Sequence, residues 1–271
     1  MVIQGTPLQL SEQQLTAVHQ LLDRVAERQR QDFGSSSSEL KSDGTLITTC
    51  DRWSDAAILS GLAAIAPGEG VLSEEGSQCV PSTRAFWVVD PLDGTTNFAA
   101  GIPYWAISVA RWVDGAPAEV FLDVPSLRQR IVAIRGQGVW RNGKRLTALM
   151  RSNANSACIS LCSRSIRVLQ QRPDRRFPGK IRLLGVASLN LLSVAMGQTV
   201  GALEATPKIW DLAAAWLVLS ELGCPVIWLN KHPTAIAPGE DLSTTDFPVV
   251  VAGNDPMLER LREWGEALVD R

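Results

Sequence analysis

The chain has 271 residues, 45% of them hydrophobic, enough to bury a substantial core as one large domain or two packed halves. Its 26 Lys and Arg against 28 Asp and Glu lack the positive excess of a dedicated nucleic-acid binder. No stretch approaches the ~20 apolar residues of a membrane span and the first ten residues carry no secretory pattern, so a cytoplasmic protein is expected.

Residues 11–29 place Leu15, Val18, Leu21, Leu22 and Val25 at helical intervals behind Ser11, which has the chemistry of an N-cap. Residues 34–38 are small and polar and predict a mobile loop before the short apolar segment 46–48. A second helix is predicted over 53–65. Two short segments ending in acid follow, 70–75 and 85–90, which have the pattern of buried strands with carboxylates at their C-terminal ends. Further strands are predicted at 105–112, 118–124 and 131–134, and Asn142-Gly143 signals a hairpin between Val139-Trp140 and Arg145-Leu146. The polar residues 151–156 mark the boundary between a strand-rich first half, 1–150, and an α/β second half, 151–271. In the second half, helices at 188–196, 211–222 and 256–269 alternate with strands at 201–205, 225–228 and 247–251.

Five cysteines form no CxxC pair, and two histidines stand at no ligand spacing. A hydrolytic metal would therefore be held by oxygen. The segment Trp87-Val88-Val89-Asp90-Pro91-Leu92-Asp93-Gly94-Thr95-Thr96-Asn97-Phe98 carries that chemistry. An apolar strand delivers Asp90, Pro91 fixes a turn, and Asp93 stands close enough for both acids to share hard cations. Gly94, Thr95 and Thr96 then offer backbone amides to an anion at a helix start. Asp-Pro-x-Asp-Gly is also good turn chemistry, but turn formation does not require the whole block.

This block resembles the signature of the inositol monophosphatase family, as do Ser73-Glu74-Glu75, Trp210-Asp211-Leu212-Ala213-Ala214-Ala215 and the segment from Asp43 to Asp51. The resemblance implies the layered αβαβα sandwich of that superfamily, with the site where the halves meet. It also implies a Mg²⁺-dependent phosphatase of small phosphorylated metabolites, sensitive to Li⁺ and commonly a homodimer. Glu74, Asp90 and the Leu92 carbonyl would hold one Mg²⁺, Asp90, Asp93 and Asp211 a second, and a third ion would again use Glu74. Thr95, oriented by Asp51, and Glu74 would activate the attacking water. Gly94 and Thr95 would face the phosphate, and Ala187 and Glu204 the alcohol. Three positions depart from the family pattern: Ser73 and Ala215 each replace a glycine, and Cys50 a small residue or threonine.

Several of these residues have a second explanation. Asp211 has the position of an N-cap for a helix over 212–222, Asp51 that of a cap for the helix after it, and Glu75 and Glu204 those of solvated strand-end acids. The basic run from Arg164 to Arg182 fits a solvated loop better than a second phosphate or RNA site. Inositol 1-phosphate is the expected substrate, with histidinol phosphate, fructose 1,6-bisphosphate or 3′-phosphoadenosine 5′-phosphate as alternatives. A non-catalytic regulatory relative is the rival from another class. Neither nucleic acid nor membrane is expected as a partner.

Overall fold

A computed structural model of the chain describes residues 9–41, 44–146 and 157–269. Asp43 and the boundary expected at 151–156 lie outside the described residues. The secondary structure forms five layers. The outermost helices are α1 (Glu12–Asp32) and α2 (Thr49–Ile65). Both start on a capping box: Ser11 exchanges hydrogen bonds with Gln14, and Thr48 with Asp51. That box starts α2 four residues earlier than its apolar pattern suggests, so Asp51 lies inside the first turn and not before it. Between these helices, β1 (Ser38–Leu40) and β2 (Leu46–Thr48) pair as a hairpin, so the expected loop ends in a strand at Ser38.

The second layer is a seven-stranded sheet in sequence order: β3 (Gly70–Ser73), β4 (Ala85–Asp93), β5 (Ala106–Val113), β6 (Ala116–Val124), β7 (Gln129–Ile134), β8 (Gly138–Arg141) and β9 (Lys144–Leu146). Only β3 and β4 run parallel, while every later neighbour is antiparallel. Alternation splits the faces of this sheet. Trp87, Val89, Ile107, Val109 and Phe121 pack on Val18, Leu22, Val25, Ile58 and Leu62 of the outer helices. Phe86, Val88, Ala110, Trp112 and Leu122 face the opposite way, into the middle layer. Burying each such side chain contributes about 1.5–3 kcal/mol.

The middle layer holds α5 (Ala187–Ala195) and α6 (Ile209–Glu221), which are apolar nearly all round because a sheet lies on either side of them. The fourth layer is a mixed sheet of β10 (Cys158–Leu161), β11 (Lys180–Arg182), β12 (Gly201–Glu204), β13 (Val226–Trp228) and β14 (Val249–Ala252), in the order β11-β10-β12-β14-β13. Its outer face packs Ile159, Leu203 and Val250 against Met257, Leu261 and Trp264 of α7 (Asp255–Val269), beside the short α4 (Ile166–Gln171). This is the expected αβαβα sandwich. The basic run is not one solvated loop, because α4 and β11 form within it. Its charges interrupt the apolar periodicity that sequence patterns rely on. Among the described residues no helix is long and apolar enough to cross a membrane.

Candidate active site

Strand register brings the acids together. Ser73 pairs with Val89 across the parallel β3–β4 ladder, and the Glu74 amide donates to the Val89 carbonyl at 3.1 Å, so Glu74 leaves its strand beside Asp90. Asp90 pairs with Ser108 of β5, whose hydroxyl donates to the Trp210 carbonyl at 3.0 Å. That bond seats Asp211 against Asp90 from the middle layer. One carboxylate oxygen from each of Glu74, Asp90 and Asp211 lies within 4.8 Å of the others. Pro91 does not end the strand as expected. β4 runs on to Asp93 through a shift of register between Asp90 and Asp93, where the missing proline N–H costs no ladder bond.

The irregular stretch is held from behind by a residue that sequence reasoning passed over. Gln29 of α1 is fully buried; its amide donates to the Pro91 carbonyl at 2.8 Å and to Ser54 at 3.1 Å, and it accepts from the Trp105 indole at 2.9 Å. Gly94 follows with φ of 101°, and a Cβ there would meet Val186 at 2.8 Å, so glycine is required on both counts. It opens the short helix α3 (Thr95–Ala99). The Thr95 hydroxyl lies 2.8 Å from Asp51 Oδ1 and 3.1 Å from the Leu92 carbonyl.

Asp93 accepts the Ser188 amide at 2.7 Å at the start of α5, where Val186 has no side chain able to cap. Asp211 is the third residue of α6 rather than its N-cap, since the helix begins at Ile209. Its Oδ2 reaches back to the Lys208 amide at 2.7 Å. Asp51 is likewise both a helix anchor, accepting the Thr48 amide at 2.9 Å, and the partner of Thr95.

Burial pushes the Asp90 and Asp211 carboxyls well above their ordinary range, and the neighbouring acids add to it: Glu74, Asp93 and Asp211 act on Asp90, and Asp93 and Glu74 on Asp211. Glu74 is pushed up to about 7 by burial, opposed by the Lys41 ammonium and reinforced by Glu75 and Asp93. Lys41, at the end of β1, lies 3.2 Å from Glu74 and 2.5 Å from Glu75. Glu75 is therefore a sheltered ion-pair partner and not a solvated acid. Both contacts span more than 30 residues, which is why no local pattern announces them. Of the departures, Ser73 uses its hydroxyl to donate to buried Asp55, a bond glycine would lack, while Cys50 and Ala215 are packed in the core.

The acids line a cleft of about 610 Å³ with Gly94, Thr95 and the β1–β2 hairpin. A second space of about 330 Å³ shares Asp93, Arg164, Gly185 and Asp211 with it and continues past Ala187 and Asn190 to Glu204. Glu204 is 2% exposed and accepts the Asn190 amide at 2.7 Å, which overturns the solvated strand-end alternative. Burial pushes its carboxyl up to about 8 against that hydrogen bond. A separate hollow of about 510 Å³ between α1 and the β6–β7 connection is walled by Arg130, which pairs with Asp123 and Asp23.

A nest of oxygen donors, buried Asp90 with half-buried Glu74 and Asp211, where β3, β4 and α6 meet inside an αβαβα sandwich, has the hard-cation chemistry of the metal-assisted phosphatase class. The comparisons agree. The inositol monophosphatase family matches residues 8–261, and the chain belongs to that family. It is 34% identical over 218 residues to the histidinol-phosphatase of Mycobacterium tuberculosis, covering 75% of this chain and 82% of that protein. It is 30% identical over 260 residues to an inositol-1-monophosphatase of Rhizobium meliloti, covering 92% and 94%. The crystal structure of the extragenic suppressor protein SuhB from Bartonella henselae superposes with a TM-score of 0.78 at 25% identity, covering 94% of this chain and 98% of that one.

Proposed function

We propose that this chain is a Mg²⁺-dependent phosphomonoesterase of the cytoplasm whose first substrate is inositol 1-phosphate. The observation that carries the proposal is the convergence of buried Asp90 with half-buried Glu74 and Asp211, with Asp93 beside them and the Lys41 ammonium paired to Glu74. Burying so many like charges is costly unless cations are bound. The donors fit the group the family implies: all are oxygens, as Mg²⁺ prefers. Glu74, Asp90 and the Leu92 carbonyl would hold one ion and Asp90, Asp93 and Asp211 a second, with a third again on Glu74. When bound, the ions supply charge neutralisation of the phosphate and acidify a water.

The chain's own residues do the rest. Thr95 gives its proton to Asp51, so its lone pairs are left to accept from the attacking water, with Glu74 as the second acceptor. Gly94 and Thr95 present the α3 start to the phosphate, while Ala187 and Glu204 face the leaving alcohol. The site lies at the junction of the 1–150 and 151–271 halves, and a homodimer is the proposed assembly.

Histidinol phosphate is the second candidate substrate, favoured by the Mycobacterium tuberculosis relative and by the buried acceptors Glu204 and Asn190 Oδ1, which suit an ammonium donor. The test is phosphate release from a phosphomonoester panel with and without Mg²⁺, including Asp93→Asn. Turnover should require Mg²⁺, and the folded variant should lose turnover and bind Mn²⁺ more weakly. Undiminished turnover of folded Asp93→Asn at low Mg²⁺ would sink the metal assignment.

A further inference from the structure

The direction in which the Glu74 carboxylate leaves the first sheet is set by the turn over residues 73–77. The Glu74 amide donates to the Val89 carbonyl, its own carbonyl accepts the Gln78 side-chain amide at 2.7 Å, and the Ser73 amide closes the turn on the Ser77 carbonyl at 2.9 Å. Beneath that turn lies a carboxylate with no part in the proposed hydrolysis. Asp55 of α2 is 8% exposed and accepts the hydroxyl of Ser73, which is wholly buried at the end of β3. A Cβ on Gly76 would lie 3.5 Å from Asp55 Oδ2 and 3.5 Å from the Ser73 Cβ, so the acid is wedged under the turn itself. The Lys41 ammonium, paired with Glu74 and Glu75, is also its opposing charge.

Asp55 stands four residues after Asp51, which places both acids on one face of α2. Asp51 accepts the Thr95 hydroxyl at 2.8 Å. Asp55 holds Ser73, the residue before Glu74. The two groups that would accept from the attacking water, Thr95 and Glu74, are thus tied to a single rigid element at points one helical turn apart. A glycine at position 73, the residue of the family pattern, has no hydroxyl with which to make the second tie. Burying a carboxylate is costly, and an apolar side chain at position 55 would fill the same space without that cost.

We propose that Ser73 and Asp55 are positioning residues, which fix the turn over 73–77 so that Glu74 faces the cation and the attacking water. They touch neither. The inference rests on the phosphomonoesterase proposal and adds to it two residues that set cation affinity. Their signature is a changed metal requirement with the KM for the ester left alone, because the alcohol is held on the far side of the cleft.

The experiment measures Mn²⁺ binding by calorimetry, and phosphate release from the best-cleaved ester of the panel as Mg²⁺ is varied. The unmodified protein, Ser73→Ala, Asp55→Asn and the double variant Ser73→Ala/Asp55→Ala are compared. Ser73→Ala should weaken Mn²⁺ binding and raise the half-saturating Mg²⁺ by roughly ten- to hundredfold, with the KM for the ester at saturating Mg²⁺ unchanged. Asp55→Asn keeps an oxygen for the Ser73 hydroxyl and should lose the least. The double variant leaves no buried carboxyl unpaired, so part of its resistance to urea should return while its Mn²⁺ affinity stays low. That divergence separates positioning from packing, and the double variant carries the test if Ser73→Ala does not fold. Recovery of affinity along with stability in the double variant overturns the proposal. So does a folded Ser73→Ala with undiminished Mn²⁺ affinity, which leaves the phosphatase reading standing. An unmodified protein that neither binds Mn²⁺ nor releases phosphate removes both.

Discussion

Asp51→Asn alters almost no volume, yet it removes one acceptor from a carboxylate that receives three donors. Oδ2 takes the Thr48 amide at 2.9 Å and the Thr48 hydroxyl, and Oδ1 takes the Thr95 hydroxyl at 2.8 Å. Asparagine has one oxygen, and the two Thr48 donors claim it, since releasing them would strip α2 of a cap worth about 1 kcal/mol. The new NH₂ group then faces Thr95. Its hydroxyl must turn, and the acceptor within reach is the Leu92 carbonyl at 3.1 Å. No carboxylate is left to receive the proton that the attacking water passes through Thr95. The expected result is a fall in kcat of ~10²-fold or more, with KM nearly unchanged because Asp51 touches no part of the alcohol. Loss of the negative charge in the first turn of α2 lowers stability by about 0.3–1 kcal/mol. Steady-state phosphate release and urea unfolding measure the two effects on one sample. An unchanged kcat in the folded variant would refute the relay, and a rise in KM alone would make Thr95 a phosphate-gripping residue.

Gln29→Leu leaves the Pro91 carbonyl and the Trp105 indole unpaired in the core, so urea unfolding should show a loss of about 3 kcal/mol; a loss nearer ~0.5 kcal/mol would mean that neither group depends on it. Li⁺ at tens of millimolar, roughly the range for a weak hard-cation site, should inhibit turnover, and full activity there would remove the lithium expectation. Mg²⁺ should raise the melting temperature in a concentration-dependent way, because it binds the folded acids and not the unfolded chain; a melting curve indifferent to Mg²⁺ contradicts the site. Glu204→Gln should lower kcat/KM for inositol 1-phosphate far more than for glycerol 2-phosphate, equal losses being the refuting result. The same variant tests the raised carboxyl. The folded state holds this proton up to about 8 and the unfolded state loses it in the ordinary glutamate range, so stability falls as pH rises between the two. The Gln variant should show a shallower fall, measured by urea unfolding across that window.

Much of the fold was legible because its core elements carry clean periods. The strand leading to Asp90 and the helices on either side of the first sheet announce themselves through apolar spacing, and the acids of the site stand in local blocks that resemble a known family. What escaped has physical causes. Helix starts at Thr49 and Ile209 are set by side chains reaching back to backbone amides, which the apolar pattern does not register. The path of β4 through Pro91 depends on Gln29, 62 residues away in sequence. Lys41 reaches Glu74 and Glu75 by tertiary folding alone. The segment holding α4 and β11 is so rich in arginine that its strand and helix are visible only once α7 and β10 are placed against them.

The helix starts also explain how so many acids can be held in one place. Asp51, Asp93 and Asp211 each commit one oxygen to the first turn of a different helix, at the Thr48, Ser188 and Lys208 amides. Each bond restrains the carboxylate against rotation; Asp51 Oδ1 then meets Thr95, while Asp93 and Asp211 line the cleft, Asp211 also bonded to Asp90. A helix N-terminus offsets a buried negative charge by about 0.3–1 kcal/mol, which is less than the several kcal/mol that desolvating each such ion costs. The remainder is expressed in the raised carboxyls of Asp90, Asp93 and Asp211. Helix dipoles thus orient the acids without neutralising them, and on the proposed function the uncompensated charge would be met by divalent cations in the cleft. Alanine at any of the three positions would damage a helix start and the site together, whereas asparagine keeps the carbonyl for the amide and removes the charge. Comparing the two substitutions at one position separates the anchoring role from the electrostatic one.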